Sequence, residues 1–383
     1  MPFKAGVIGK GFIGPAHVEA LRRLGNVEVV AIAGTDEATA TQTAQELGIP
    51  RGYGDWRELI RDRQVQVVHV CSPNRLHFVM AKEALEAGKH VVCEKPLALS
   101  VDEGRTLVET ADRCRRLNTV HFSLRYYPLI QHLRALMSNG DLGDLFAVHG
   151  SYLQDWLYYS TDYNWRLDRR EGGALRAVAD IGSHWLDLVE FVTGCRIEAV
   201  LADFQTFHKV RRKPRKRLAT FAGTSSQAPS YTDVVIDTED YASVLLRFSG
   251  GARGVMTVSQ VSAGRKNRLS FEVDGSRGAA FWDSEIPNQL WLGRRDAYNE
   301  VVVKDPSLVD ALAARTIDYP GGHAEGYPDT FKQMFKDVYG YLERGDFSTA
   351  PTFPTFRDGL RELQICKSIF ESNQSGAWRS VAD

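Results

Sequence analysis

The chain has 383 residues, 43% of them hydrophobic and 25% charged, with a formal net charge of −1; this is the make-up of a globular protein with room for about two domains. No global field draws such a chain to nucleic acid or to a membrane, and no apolar stretch approaches the roughly 20 residues that span a bilayer. The five cysteines, Cys71, Cys93, Cys114, Cys195 and Cys366, are odd in number, widely spaced and free of any C-x-x-C pair, which points to reduced thiols of a cytoplasmic protein rather than a disulfide framework or a zinc knuckle.

The apolar run Ala5 to Ile8 reads as a first strand, and Gly9-Lys10-Gly11-Phe12-Ile13-Gly14 follows it and leads into a helical pattern near Pro15. In that setting the glycines carry a dinucleotide site: Gly9 permits the tight turn, Gly11 lets backbone amides approach a pyrophosphate, and Gly14 allows the helix to pack on the strand. So early a motif leaves no room for a signal peptide ahead of it. Val27 to Ala33 reads as a second strand, Ala38 to Leu47 as a helix closed by Gly48, and Val65 to Cys71 as a buried parallel strand. His77 to Ala87 is a helix closed by Gly88, and Val91 to Cys93 a short strand. Ser100-Val101-Asp102-Glu103 is a capping box for a helix running to about Leu117, and Thr119 to Phe122 is the last strand of this part. Such alternation predicts an α/β domain over residues 1–123, a doubly wound parallel sheet with ligands at the C-terminal ends of its strands.

The pattern changes after Leu124. A helix, Pro128 to Ser138, leads to a strand ending in Tyr152-Leu153-Gln154-Asp155-Trp156, and a helix near Ile181 to Val192 follows. Strand character then returns at Ile197 to Phe207, Tyr241 to Phe248, Gly254 to Val261, Leu269 to Val273 and Glu300 to Val303, with Gly250-Gly251 as a hairpin turn. Helices Phe331 to Leu342 and about Arg357 to Phe370 close the chain, so residues 124–383 read as an α+β domain on a large, mostly antiparallel sheet. Lys209 to Arg217, with seven basic residues in nine, reads as a solvated loop, because no interleaved aromatics mark it for nucleic acid.

The chemistry gathers in two segments. Glu94-Lys95-Pro96-Leu97 directly follows a strand of the first domain, where the nicotinamide end of a dinucleotide belongs. An ammonium there favours the alkoxide that precedes hydride loss; spacing alone favours the plainer alternative, a solvated loop lysine paired with Glu94. In Asp180-Ile181-Gly182-Ser183-His184, a helix starting near Asp180 puts Asp180 and His184 on one face, with the carboxylate at the positive end of the dipole. His184 is then a general acid/base, or else Asp180 is only an N-cap and His184 a helix-surface residue.

The order of G-x-G-x-x-G at Gly9, Cys71-Ser72-Pro73-Asn74 with His77, Glu94-Lys95-Pro96, and Gly172-Gly173-Ala174-Leu175 leading into Asp180-x-x-x-His184 resembles the Gfo/Idh/MocA oxidoreductases. The resemblance runs through nearly the whole chain. It implies a Rossmann domain plus an α/β domain with an open-faced sheet used for homo-oligomerisation as a dimer or tetramer, and NAD- or NADP-linked oxidation of sugars and cyclitols without a metal. It makes Lys95, Asp180 and His184 the catalytic group. Gly9, Gly11, Phe12, Ile13, Gly14, Gly34, Thr35, Ser72, Pro73, Asn74, His77, Glu94, Lys95 and Arg125 become the cofactor positions. Segment Gly150 to Trp156 with Trp165-Arg166 looks most like the levoglucosan dehydrogenase branch, which implies that Gln154, Asp155, Trp156, Trp165 and Arg166 face a sugar beside Lys95, Asp180 and His184; His323 is a further loop candidate. The fold also occurs in redox-assisted glycosidases and in a cofactor-sensing regulator; the joint presence of Lys95, Asp180 and His184 favours an enzyme. One departure is at the end of the second strand, where many NAD-preferring relatives have an acidic residue and this chain has Gly34-Thr35, with Asp36 late, leaving NAD against NADP open.

Overall fold

The structure, a computed structural model, describes residues 2–215 and 230–382. It forms two compact units, Met1–Ser123 with Tyr327–Leu363, and Leu124–Gly326 with Gln364–Asp383.

The first unit holds six parallel strands: β1 (Phe3–Ile8), β2 (Val27–Ala33), β3 (Arg51–Tyr53), β4 (Val67–Val70), β5 (His90–Cys93) and β6 (Asn118–Val120), in the order β3-β2-β1-β4-β5-β6. This is the doubly wound order that places a ligand crevice at the C-terminal ends of β1 and β4. The strands are near-continuous apolar runs because helices cover both faces of the sheet; Val67, Val68 and Val70 have no exposed surface. Ser100 caps helix Val101–Cys114 by accepting from the Glu103 amide, but Glu103 returns its carboxylate to Leu99 N at 3.0 Å rather than to Ser100. That helix ends short of Leu117, where Arg115 takes a left-handed conformation, φ 50°. Strand β3 and helix Trp56–Arg61 have no counterpart in the sequence reading, being too short to show a period.

Tyr327–Leu363 belongs to this first unit, whereas the sequence reading carried the second domain to residue 383. The cause is the apolar face of helix Tyr327–Arg344: Phe331 and Phe335 pack on His17 and His121, and Tyr339 stacks on His69.

In the second unit, β7 (Leu145–Leu153), β8 (Ile197–Gln205), β9 (Val210–Pro214), β10 (Tyr231–Val235), β11 (Tyr241–Phe248), β12 (Arg253–Ser259), β13 (Arg268–Gly275), β14 (Ala279–Asp283), β15 (Gln289–Gly293), β16 (Glu300–Val303) and β17 (Arg379–Ser380) form two sheets. The pair β9-β10 stands apart, and nine strands run in the order β16-β15-β14-β13-β7-β12-β11-β8-β17, antiparallel at every step but β7-β12. Alternation is clear in β11, whose Ala242, Val244, Leu246 and Phe248 are buried while Leu245 and Arg247 are exposed. Gly250 and Gly251, at φ 78° and 93°, supply the left-handed turn between β11 and β12.

The basic segment corrects the expectation of a solvated loop. Val210–Pro214 is a strand, and its alternation turns Arg211 inward, where the guanidinium reaches Asp240 Oδ1 at 2.8 Å; Lys216 and Arg217 lie outside the described residues. Arg176 also pairs with Asp240, and all three side chains are buried. Burial pushes the Asp240 carboxyl up, but the two arginines outweigh it and hold it below the usual carboxylate range. Among the described residues no helix is long and apolar enough to cross a membrane.

Candidate active site

The glycine turn of the first unit is built as a close-approach surface. Gly9 has φ 122°, and a Cβ there would lie 2.3 Å from Cys71 O, while one on Gly14 would lie 1.9 Å from Gly9 O. Both glycines are therefore required by the fold. At Gly11 a Cβ would meet nothing within 4 Å, so that position faces open space beside Phe12 and the start of helix Ile13–Arg22 at Ile13. A turn with two sterically obligatory glycines around an open one fits a pyrophosphate at the helix N-terminus.

Gly34, at the end of β2, donates its amide to Tyr53 O at 2.9 Å. The stem of Lys10 lies across it, since a Cβ on Gly34 would sit 3.0 Å from Lys10 Cδ and Cε. Asp36 follows Thr35 as the N-cap of helix Glu37–Glu46 and accepts from Thr39 N at 2.8 Å. Hydrogen bonds from Thr39 lower its pKa.

The loops after β4 and β5 are braced by His77. Its Nε2 lies 2.9 Å from Ser72 O and its Nδ1 2.7 Å from Pro96 O, so the imidazole sits between the Ser72-Pro73-Asn74 and Lys95-Pro96 segments, and in its neutral form it donates its single N–H to one of these two carbonyls. The buried His77 ring lies against carbonyls of the protein's own loops. Glu94 likewise turns inward: its Oε1 is 3.0 Å from His17 Nε2 and 2.7 Å from His121 Nδ1, and its Oε2 accepts from Lys95 N at 3.3 Å. Burial raises the Glu94 pKa, but the charge and hydrogen bond of His121, with those of His17, outweigh this and hold the carboxylate well below its ordinary range. Lys95, next in the chain, is half-buried in the loop after β5.

In the second unit Asp180 lies in a π-turn, Val178–Gly182, that runs directly into helix Ser183–Thr193 carrying His184. Widened turns of this kind concentrate at functional positions. Of the two alternatives left open for Asp180, the N-cap is not the one the backbone shows, since Asp180 lies within Val178–Gly182. Buried Glu239 takes that role, its Oε1 accepting from Arg176 N at 2.8 Å and Val178 N at 2.9 Å. The Asp180 carboxylate turns sideways, accepting from Arg166 Nε at 3.1 Å and from Gln260 Nε2 at 2.9 Å. Tyr152 lies beside His184, ring centroids 6.4 Å apart.

The expected sugar ligands are differently employed. Gln154 accepts from Trp156 Nε1 at 2.7 Å and donates to Asn267 Oδ1 at 2.7 Å, and it is buried. Asp155 Oδ2 accepts from Lys266 Nζ at 2.7 Å and Gly264 N at 3.1 Å. These side chains brace the loop between β12 and β13. Trp165 carries the Arg166 guanidinium on its ring face at 4.5 Å. Arg125 is held by Asp187 through two hydrogen bonds, so its charge is committed there. His323 is exposed on its loop, 3.3 Å from Gly321 O.

Residues 3–122 match the family model described as "Oxidoreductase family, NAD-binding Rossmann fold", and residues 130–281 match the GFO/IDH/MocA C-terminal domain. The chain belongs to the GFO/IDH/MocA oxidoreductase family. Levoglucosan dehydrogenase of Pseudarthrobacter phenanthrenivorans is 28% identical, over 98% of this chain and 97% of its own. The solved structure of a levoglucosan dehydrogenase with NADH and levoglucosan has a TM-score of 0.89 at 25% identity, covering 100% of both chains. An inositol dehydrogenase homolog from Azotobacter vinelandii, solved with NADH and myo-inositol, has a TM-score of 0.86 at 27% identity, covering 99% of this chain and 98% of that one.

Within this GFO/IDH/MocA chain, sequence reasoning named Arg166 as a sugar-facing residue and missed Gln260, the other group that holds Asp180. Gln260 follows β12, and the period of two puts it on the buried face with Met256 and Val258. A polar residue in an apolar register was the available signal. His69, inside the apolar run of β4, was another.

Proposed function

We propose that the protein is a nicotinamide-dependent dehydrogenase that acts on a ring hydroxyl of a sugar, anhydrosugar or cyclitol. The observation that carries this reading is the carboxylate of Asp180, fixed by Arg166 and Gln260 one helical turn before His184, in a chain whose Gly9–Gly14 turn suits a dinucleotide. The names of the relatives, levoglucosan dehydrogenase and inositol dehydrogenase homolog, support the substrate class.

In this reading the turn at Gly9, Gly11 and Gly14 and the first amides of helix Ile13–Arg22 hold the pyrophosphate, with the loops at Ser72 and Lys95 toward the nicotinamide. The bound cofactor supplies the acceptor for the two electrons leaving the carbinol carbon. His184 takes the hydroxyl proton, Asp180 orients the imidazole and stabilises its charged form, and Lys95 stabilises negative charge on the substrate oxygen. Reduction of the ketone reverses these proton movements. The absence of an acid at position 34, Thr35 beside it and the stem of Lys10 across it support use of NADP as well as NAD. The same reading takes the large sheet, which exposes Phe146, Leu245 and Val301, as the self-association surface, and the cytoplasm as the place of action.

The test is reduced-cofactor absorbance with a panel of aldoses, anhydrosugars and cyclitols and both cofactors. His184→Asn should lower turnover by about 10² or more with cofactor affinity kept, and Lys95→Ala should lower it too. Faster turnover of lactate or malate than of every polyol, or near-normal turnover in both variants, would sink the reading.

A further inference from the structure

We infer that Gln260 and Arg176 are positioning residues for Asp180, which deepens the proposed function and rests on it. Arg176 controls Asp180 from two directions. Its carbonyl accepts the Asp180 amide at 2.7 Å, fixing the backbone of the π-turn. Its guanidinium donates through Nη1 to Gln260 Oε1 at 3.3 Å, and Gln260 Nε2 then donates to Asp180 Oδ2 at 2.9 Å.

The donor properties make this arrangement directional. A guanidinium has no acceptor, so Gln260 must offer Arg176 its carbonyl oxygen, and only its amide nitrogen remains for Asp180. Arg176 is itself locked by Thr238 and by Asp240. Arg176, Gln260 and Asp240 are all essentially without exposed surface, so each hydrogen bond is made out of water and is costly to leave unmade. The carboxylate of Asp180 thus receives Gln260 on one oxygen and Arg166 on the other, which fixes its rotation. Such a carboxylate is what an orienting partner of a general base requires.

The charged and titratable groups around this point are Arg166, Arg176, Arg211, Asp240, Glu239, Tyr152 and His184. Burial raises both Tyr152 and Glu239. Arg211 and Arg176 each pair with Asp240. Gln260 is the neutral link between that buried ion group and Asp180.

Gln260→Glu is the discriminating variant, because it keeps shape and keeps an acceptor for Arg176, whereas Arg176→Met would remove one of the two arginines that pair with buried Asp240 and leave Arg211 as its one guanidinium partner among the described residues, which threatens folding. The new carboxylate replaces a donor with a second acidic oxygen beside Asp180. Added negative charge makes an imidazolium at His184 harder to deprotonate. We expect kcat for alcohol oxidation to fall at least about tenfold and the acidic limb of the kcat/KM profile to move to higher pH by about one unit or more, with the Kd for the cofactor within about twofold of wild type. Gln260→Met, which fills similar volume but cannot donate, should also lower kcat about tenfold. An unmoved limb in Gln260→Glu, whatever happens to kcat, overturns the inference, as does a kcat within twofold of wild type in Gln260→Met. His184→Asn separates the two levels: if it is inactive while the Gln260 variants behave as wild type, only the positioning role falls; if it turns over normally, the reading and the inference fall together.

Discussion

The Nδ1 atoms of His17 and His69 face one another at 3.0 Å in the core of the first unit, so one of the two must donate and the other accept. Which one is fixed by the ends of the chain. Glu94 is held ionised and can only accept, so His17 Nε2, 3.0 Å from Glu94 Oε1, carries the proton. His17 is kept neutral by burial, with a pKa pushed down to about 4, which leaves its Nδ1 as the acceptor. His69 must then donate from Nδ1. Burial also holds His69 neutral, and its Nε2 accepts from Tyr339 Oη at 3.0 Å. The chain from Tyr339 to Glu94 therefore has one polarity.

Acid should unfold this unit early. The folded pKa of His17 is depressed, so between about 6.5 and about 4 the unfolded chain binds a proton that the folded chain refuses, and stability falls as pH falls through that window. The shift corresponds to about 3 kcal/mol from this one side chain. Glu94, also depressed, adds a further loss at lower pH as it is forced to protonate. Denaturant titrations at pH 7, 6, 5 and 4, followed by amide exchange in β1 and β4, should show this loss. A protein as stable at pH 4.5 as at pH 7 would contradict the protonation pattern.

The polarity also ranks two substitutions. Tyr339→Phe removes a donor and leaves only the lone pair of His69 Nε2 unfilled, which should cost about 1 kcal/mol. His17→Leu strands the His69 N–H and removes a donor from buried Glu94, so it should cost about 3 kcal/mol or more. Urea unfolding of both variants gives the order directly, and equal costs would mean the chain is not directional.

The legible parts of the sequence were those where local pattern and tertiary role agree. The bounds of β2, β11 and β16 follow from apolar runs and alternation alone, and Gly9 and Gly14 carry a steric reason that any strand-to-helix turn of this kind imposes. Illegible were side-chain destinations. Gln154, Asp155 and Glu94 have the residue types of a ligand site, yet each finds a protein partner 2–111 positions away in sequence. Nothing local announces that Asp155 meets Lys266 or that His17 meets Glu94. Arg211 was hidden for the same reason: its neighbours are basic, but the buried carboxylate of Asp240 selects it alone by strand register.

Gly11 separates cofactor binding from folding. A Cβ there meets no protein atom within 4 Å, so Gly11→Val should fold with little change in stability while its branched side chain blocks the approach of a pyrophosphate. Cofactor affinity should drop at least about tenfold by titration of protein fluorescence. Gly9→Ala should instead destabilise the unit, because its Cβ would collide with Cys71 O and its φ of 122° disfavours any side chain. Unaltered affinity in a folded Gly11→Val protein would remove the pyrophosphate from this turn.

Cofactor preference should turn on position 34. The wild-type chain offers a 2′-phosphate no opposing carboxylate at Gly34, while Asp36 is committed to Thr39 and Lys10 crosses the site with its stem. Measurable use of NADP follows. Gly34→Asp would place a carboxylate beside the 2′-oxygen, able to bind a ribose diol and to repel a phosphate. The new Cβ presses only on the flexible Lys10 stem at 3.0 Å and on Ala40 Cβ at 3.4 Å, so the fold should accept it. The ratio of kcat/KM for NADP over NAD should fall at least about tenfold, or about 1.4 kcal/mol, and Lys10→Ala should lower the same ratio by removing the nearby cation. If wild type rejects NADP outright, or if both variants leave the ratio where it was, the 2′-oxygen of the ribose does not lie at the end of β2.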